Sequence, residues 1–224
     1  MSSSTSFWTE RSSTSIVTST MGRPREFDTE KTLARVREEF WRHGYEATSV
    51  DRLLEATNLG KGSFYAAFGD KRSLLLRVLG DYASARVAAF RDLHGSAPRA
   101  IDALRATLRP TFGARGCFLA NCTVELSPHD GEVVALARTT FGSLEAIVTE
   151  TIRRAIDEGD LARTTRPREL AGVLLAAATG LEFLGRTGLD AAAIEKVGRN
   201  AARELLGDAA GRARATGRPR ARRP

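Results

Sequence analysis

Between Thr48 and Gly69 the sequence TSVDRLLEATNLGKGSFYAAFG sets two apolar stripes, each barely two helical turns long, on either side of Asn58-Leu59-Gly60. Helices this short do not persist alone in water, so they must be packed against one another and against neighbours. The first is read as starting at Thr48 and running from Ser49 to Ala56, with Val50, Leu53 and Leu54 facing inward. Leu59 plugs the turn. In the second helix, which ends at Phe68-Gly69, the inner face is Phe64 and Phe68, four residues apart and therefore on one side. Two short helices that cross steeply around a tight turn form a helix-turn-helix, whose second helix can enter a DNA major groove by its N-terminus. Lys61, Gly62, Ser63 and Tyr65 are left for the outer side.

The rest of the chain predicts more helices and no sheet. Asp28 caps a helix with Leu33, Val36 and Phe40 on one stripe, and His43-Gly44 ends it. Asp70 opens a longer helix that buries Leu74, Leu75, Val78, Leu79, Tyr82 and Phe90. Beyond Gly95 the periodicity predicts helices at 98–112, 116–126, 129–158, 167–187 and 190–206. Ser127-Pro128 is taken to open the third of these and Glu158-Gly159 to close it. Alternating β-branched runs are few, with no Asn-Gly or Asp-Gly hairpin between two of them, so the expected fold is all-α with about nine helices.

The segment Gly60-Lys61-Gly62-Ser63 invites a second reading, as the phosphate loop of a nucleotide-using enzyme. That loop needs a glycine five residues before its Gly-Lys pair and Ser or Thr directly after it. Here Glu55 holds the first position and Gly62 the second, and an amphipathic helix stands where a strand is required. A third reading, a non-specific nucleic-acid binder, rests on the net charge of +7. Residues 211–224, GRARATGRPRARRP, hold six arginines and no acid, so the charge belongs almost wholly to a tail and the remainder is near neutral. Such a tail is expected to be disordered, either adding non-specific attraction to nucleic acid or being simply a solvated appendage. Residues 1–20 are rich in Ser and Thr, lack the apolar core of a secretory signal, and are read as disordered or spurious, with Met21 as the alternative start. Two cysteines and no apolar run of membrane length point to the cytoplasm.

Residues 22–79 together resemble the N-terminal DNA-binding domain of TetR-family transcriptional regulators. The resemblance is carried by Gly22-Arg23-Pro24 before the first helix, the junction FWRHGYEATS at 40–49, and the string GSFYAAFGDK at 62–71. It implies three helices for DNA, about six more for ligand binding and dimerisation, no enzymatic activity and no cofactor. The implied division is a DNA-binding domain at 21–80, a helical ligand-binding and dimerisation domain at 81–208, and the tail at 209–224. Carried over by position, the DNA-binding set is Arg25, Thr48, Ser49, Lys61, Gly62, Ser63, Phe64, Tyr65 and Lys71. Thr48 and Ser49 would meet phosphate at a helix N-terminus, Tyr65 and Lys71 the backbone, and Lys61 and Ser63 the base edges. Arg23 and Arg25 would reach the minor groove or flanking phosphates. Plainer roles stand beside these: Thr48 as a cap, Tyr65 as packing, Lys71 as a solvated charge.

The family pattern requires a homodimer, expected through the last two helices, about 167–206. LAGVLLAAATGLEFL at 170–184 is apolar nearly all round and rich in Ala and Gly, and Ile194, Val197, Ala201 and Leu205 form the stripe of the final helix. A central helix buried in a monomer is the alternative. Cys117 and Cys122 lie five apart, about 140° around a helix, and are poorly placed for a disulfide or, with Glu125 and His129, for zinc. Cys117 beside Gly116 is a candidate sensor thiol, Cys122 a weaker one, and a buried core role is the alternative for both. An inducer pocket is expected among Phe90, Phe112, Phe118, Asn121, Phe141, Glu182 and Phe183, where only Asn121 and Glu182 offer polar selectivity.

Overall fold

The computed structural model describes residues 28–111 and 113–207. Arg23, Arg25, Phe112, the Ser/Thr-rich start and the arginine tail lie outside those described. Among the described residues the chain is entirely helical: α1 (Thr29–His43), α2 (Val50–Thr57), α3 (Lys61–Phe68), α4 (Lys71–Ser96), α5 (Ala100–Thr107), a 3-10 turn (Gly113–Arg115), α6 (Phe118–Leu126), α7 (Gly131–Asp157), α8 (Pro167–Gly185) and α9 (Ala191–Leu206). The all-α reading holds, helix for helix.

Carboxylates and hydroxyls before the helices determine where many of them begin. The side chain of Asp28 accepts the Lys31 amide at 3.1 Å, that of Ser49 the Arg52 amide at 3.1 Å, and that of Asp70 the Ser73 amide at 2.6 Å. Three boundaries differ from expectation. The cap of α2 is Ser49, so Thr48 lies before the helix. Helix α5 stops at Thr107 because Pro110 cannot continue it, and the amides of Leu108 and Arg109 turn to carbonyls three residues back. Ser127-Pro128 sits in the link after α6, and α7 is opened by Asp130, whose Oδ1 accepts the amides of Glu132 and Val133 at 3.1 and 3.2 Å.

Helices α1–α3 close over Val36, Phe40, Leu53, Phe64 and Phe68. This core does not stop at residue 80. Helix α4 runs unbroken past it, and the same apolar cluster takes in Tyr82, Phe118, Leu119, Cys122, Leu126, Val133 and Ala137. Trp41 packs against Tyr82 and Phe118 with ring centroids 5.4 and 5.6 Å apart. A second cluster, around Leu104, Leu144, Val148, Ile152, Leu174 and Ile194, holds α5, α7, α8 and α9 together.

Helix α9 is turned from its expected setting. It buries Ile194, Gly198, Ala202 and Leu206, while Val197 is 47% exposed. The reason is a close approach: a Cβ at Gly198 would stand 2.3 Å from the Leu108 carbonyl oxygen. Only a glycine face lets α9 lie this near the end of α5.

One buried polar cluster lies in the second core. His94 Nδ1 is 2.9 Å from Thr151 Oγ1 and Nε2 is 3.1 Å from Thr107 Oγ1, while the ring stacks on Phe90. A neutral imidazole satisfies this arrangement by donating to one threonine and accepting from the other. Burial, with the Arg154 guanidinium nearby, pushes His94 down to about 4. Because the folded value lies below the ordinary 6.5, the unfolded chain takes up the proton first, and stability falls as pH drops from 6.5 towards 4.

Denaturation midpoints at pH 7, 5.5 and 4.5 should show this loss, roughly 2–3 kcal/mol by pH 4, and His94→Gln should flatten the slope. Gly198→Ala should destabilise the protein by about 1–3 kcal/mol in the same measurement, by forcing α9 off Leu108.

Candidate functional site

Helix α3 presents two unlike faces. Phe64 is fully buried and Phe68 is 7% exposed, with their rings 5.6 Å apart in an edge contact. Lys61, Gly62, Ser63, Tyr65, Ala66 and Ala67 are all exposed. Gly60 caps the helix without a side chain, so the first amides of α3 meet no capping oxygen. A Cβ at Gly62 would meet nothing within 4 Å. A glycine inside a helix costs about 1 kcal/mol relative to alanine, and the fold offers no packing reason for it. The outer face is therefore shaped for something outside the chain. Lysine, serine and tyrosine side chains beside free helix-start amides form a donor-rich surface suited to phosphates and base edges.

The other expected contacts divide. Ser49 is exposed; its oxygen accepts the Arg52 amide, which leaves the hydroxyl proton free to donate outward. Lys71, the first residue of α4, holds its ammonium 4.2 Å from the centre of the Tyr45 ring. Thr48 is a correction. Its side chain is fully buried and its hydroxyl donates to the Gly44 carbonyl at 2.6 Å, so it closes the α1–α2 turn and cannot offer that hydroxyl to a phosphate. Phe64 belongs to the site only as the residue that seats α3.

Of the expected sensing and pocket residues, Phe118 is packed in the core instead and Phe112 lies outside the described residues; the others fall around two cavities that share a wall. One, about 30 Å³, lies inside the helical body among Tyr82, Phe90, Phe141, Leu144 and Leu175. The other, about 450 Å³, opens where α1 meets α6 and α8, beside Trp41, Asn121, Phe183 and Arg186. Cys117 and Glu182 line both. Glu182 is buried and accepts the Thr111 amide at 2.7 Å; Asn121 donates to the Arg115 carbonyl at 2.9 Å. Cys117 is half-buried with its sulfur 3.6 Å from the Tyr82 hydroxyl. Cys122 is buried, lines only the larger cavity, and has its thiol pushed up to about 12 by burial and by the charge of Glu125. Both effects disfavour the thiolate, the reactive form, at Cys122.

The ties between α1–α4 and the rest of the chain lie far apart in sequence, and local reading had no means of finding them. The Trp41 indole N–H donates to the carbonyls of Arg115 and Gly116, both at 3.1 Å. Arg115 pairs with Glu38 at 3.0 Å, and Arg72 with Asp130 at 2.8 Å and Glu132 at 3.1 Å. Glu125, weighed from the sequence only as a poor zinc ligand, bonds the backbone of the α1–α2 turn.

Comparison with known proteins agrees with this architecture. A model of the bacterial regulatory proteins of the tetR family matches residues 33–78, and one of the tetracyclin repressor-like C-terminal domain matches residues 99–216. The chain is 30% identical over 178 residues to the HTH-type transcriptional regulator YezE of Bacillus subtilis, covering 76% of this chain and 92% of that protein. It is 29% identical over 194 residues to the HTH-type transcriptional repressor ComR of Escherichia coli, covering 83% and 90%. Among solved structures, a cysteine mutant of the TetR-family regulator CifR, complexed with 26-bp double-strand operator DNA, matches with a TM-score of 0.70 and 30% identity over 81% of this chain and 98% of that one. Reduced NemR of Escherichia coli shares the fold, with a TM-score of 0.71 at 19% identity over 82% of this chain and 100% of that one. With its N-terminal reading helices and helical C-terminal body both matched, the chain belongs to the TetR family of DNA-binding transcriptional regulators.

Proposed function

We propose that this protein is a repressor that grips a palindromic operator as a homodimer and lets go when a small molecule or a thiol adduct shifts its helical body. The observation that carries the reading is the outer face of α3, where Lys61, Gly62 and Ser63 are exposed without a packing role and Tyr65, its ring edge-on to Phe64, is still 43% exposed. Lys61 and Ser63 read base edges; Ser49, Tyr65 and Lys71 hold phosphates; Arg25 extends the grip from the arm before α1. The division into a DNA-binding unit at 21–80 and a ligand-binding and dimerisation unit at 81–208 follows from those roles. The relatives named above include a repressor and an operator complex, which supports the same reading.

Dimerisation is assigned to α8 and α9. On α8, Val173 is 48% and Phe183 65% exposed, and exposed Ala176 and Gly180 lie between them on the same stripe. Val197 stands out on α9. A second copy covering these residues buries apolar surface that otherwise faces water and sets two α3 helices one DNA turn apart. The inducer is assigned to the cavity at the α1–α6–α8 joint, with Asn121 and Glu182 supplying polarity and Phe141 behind the shared wall. Cys117 is the sensing thiol. The protein acts by binding alone, without a catalysed reaction, in the cytoplasm; among the described residues no helix is long and apolar enough to cross a membrane. A ligand acts here only through its unequal affinity for the two head spacings.

Three measurements test these assignments on an operator selected with the full chain. Deleting residues 211–224 should leave a sequence-selective complex; selectivity that vanishes with the tail assigns recognition to the arginines instead. Lys61→Ala should relax base preference by about 1–3 kcal/mol, whereas Lys71→Ala should weaken every sequence alike. Gly62→Ala should raise the free protein's stability by roughly 0.5–1 kcal/mol and yet weaken operator binding, a pairing of opposite signs that a purely structural glycine does not give.

A further inference from the structure

The α1–α2 turn, residues 44–49, is where the chain changes direction just before the reading unit α2–α3. The Gly44 amide still bonds the Phe40 carbonyl of α1, but the amides after it have no α1 carbonyl to bond. Two of them are taken by a single side chain from the other end of the joint: Glu125 Oε2 accepts the Tyr45 amide at 3.0 Å, and Oε1 accepts the Glu46 amide at 2.8 Å. Such bonds to an ionised acceptor are stronger than those between neutral groups. Glu125 sits in the last turn of α6, one turn after Asn121 and on the same face. Cys117 caps the start of that helix. Helix α6 is therefore one short rod with the sensing residues at one end and in the middle, and the grip on the turn at the other.

What surrounds this grip transmits movement. Asn121 and the Trp41 indole, both of which line the larger cavity, donate to the Arg115 carbonyl at 2.9 and 3.1 Å, so the leader of α6 is tied to α1. The ring of Tyr45 packs on Phe40 and carries the Lys71 ammonium on its face. Displacing the Tyr45 backbone thus disturbs α1, the start of α4 and a candidate phosphate contact together.

We propose that Glu125 is the coupling residue of the switch. Its carboxylate holds the α1–α2 turn in register with α6, and a shift of α6 by an occupant of the 450 Å³ cavity breaks the two bonds and frees the reading unit to reorient. The proposal rests on the regulated DNA binding argued above and adds the element that links the two sites. The chemistry required is narrow. Glutamine offers one acceptor oxygen in place of two, and aspartate is a methylene too short to span the same gap.

The test uses the full chain, its Glu125→Ala, Glu125→Gln and Glu125→Asp variants, and an operator selected with the wild type. Backbone amide exchange is followed residue by residue with and without that DNA. In wild type, operator binding should change the protection of amides in α6, because coupling between two sites is reciprocal. In Glu125→Ala, the Tyr45 and Glu46 amides should exchange at least about tenfold faster, operator affinity should fall about tenfold, and α6 should no longer respond to DNA. Glutamine should lie between, aspartate should not rescue, and amides in the cores of α4 and α7 should be unchanged in all. Faster exchange at Tyr45 and Glu46 with operator affinity and the α6 response intact would reduce Glu125 to a local cap and overturn the proposal. So would an α6 that ignores operator in the wild type. If the alanine variant does not fold, the glutamine variant decides by the same two readings. A wild type that selects no operator at all overturns instead the function on which the proposal stands.

Discussion

The burial of Trp41 is the contact on which the rest of this molecule depends. Its indole lies between Tyr82 of α4 and Phe118 of α6, and its N–H is satisfied by the carbonyls of Arg115 and Gly116. The Arg115 guanidinium lies over the ring, 4.6 Å from its centre, and reaches Glu38. An aromatic residue of the first helix is thereby built into the core of the body, so α1–α3 are not a bead on a string. Any rearrangement around Phe118 and Cys117 is felt by α1 because close-packed side chains pass displacement on instead of absorbing it.

That shared core gives the protein its regulatory potential at some cost in independence. Three helices as short as α1–α3 bury little apolar surface by themselves, and they borrow Leu74, Leu75, Val78 and Leu79 from α4 as well as Phe118 and Leu126 from α6. The polar ties follow the same route. Arg72 meets Asp130 and Glu132 at the start of α7, and its guanidinium holds the Asp130 carboxyl below the usual carboxylate range. These surface pairs add little stability singly; their effect is to fix one orientation of α4 against α7. Helix α3, in contrast, is held chiefly by Phe64 and Phe68, which leaves Lys61, Gly62 and Ser63 on its outer face exposed.

The thiols show how environment separates two chemically identical groups. Cys122 faces the core from the middle of α6, where burial and Glu125 both oppose a thiolate. Cys117 stands at the helix start, half-exposed, on the wall between the two cavities. Five residues of spacing suffice to bury one cysteine in the core and leave the other half-exposed.

Much of this was legible without coordinates. The apolar spacing of Val36 and Phe40, of Leu53, and of Phe64 and Phe68 gave helices and their inner faces, because a period of 3.6 is a local property of the chain. The outward set Lys61, Gly62, Ser63 and Tyr65 followed by subtraction. The setting of α9, with Gly198 inward and Val197 outward, did not follow, since it depends on how near the Leu108 carbonyl comes. Nor did the burial of Thr48, whose hydroxyl suits a helix cap or a phosphate equally well until the Gly44 carbonyl is seen beneath it. Glu125 and Tyr45 are 80 residues apart, and no periodicity connects them. The sequence by itself determined the helices, most of their buried stripes and the outward face of α3, for these are governed by neighbours within a few turns. The tertiary structure alone decided which carboxylate grips the α1–α2 turn and which cysteine is buried, because both depend on where separate helices come to rest against each other.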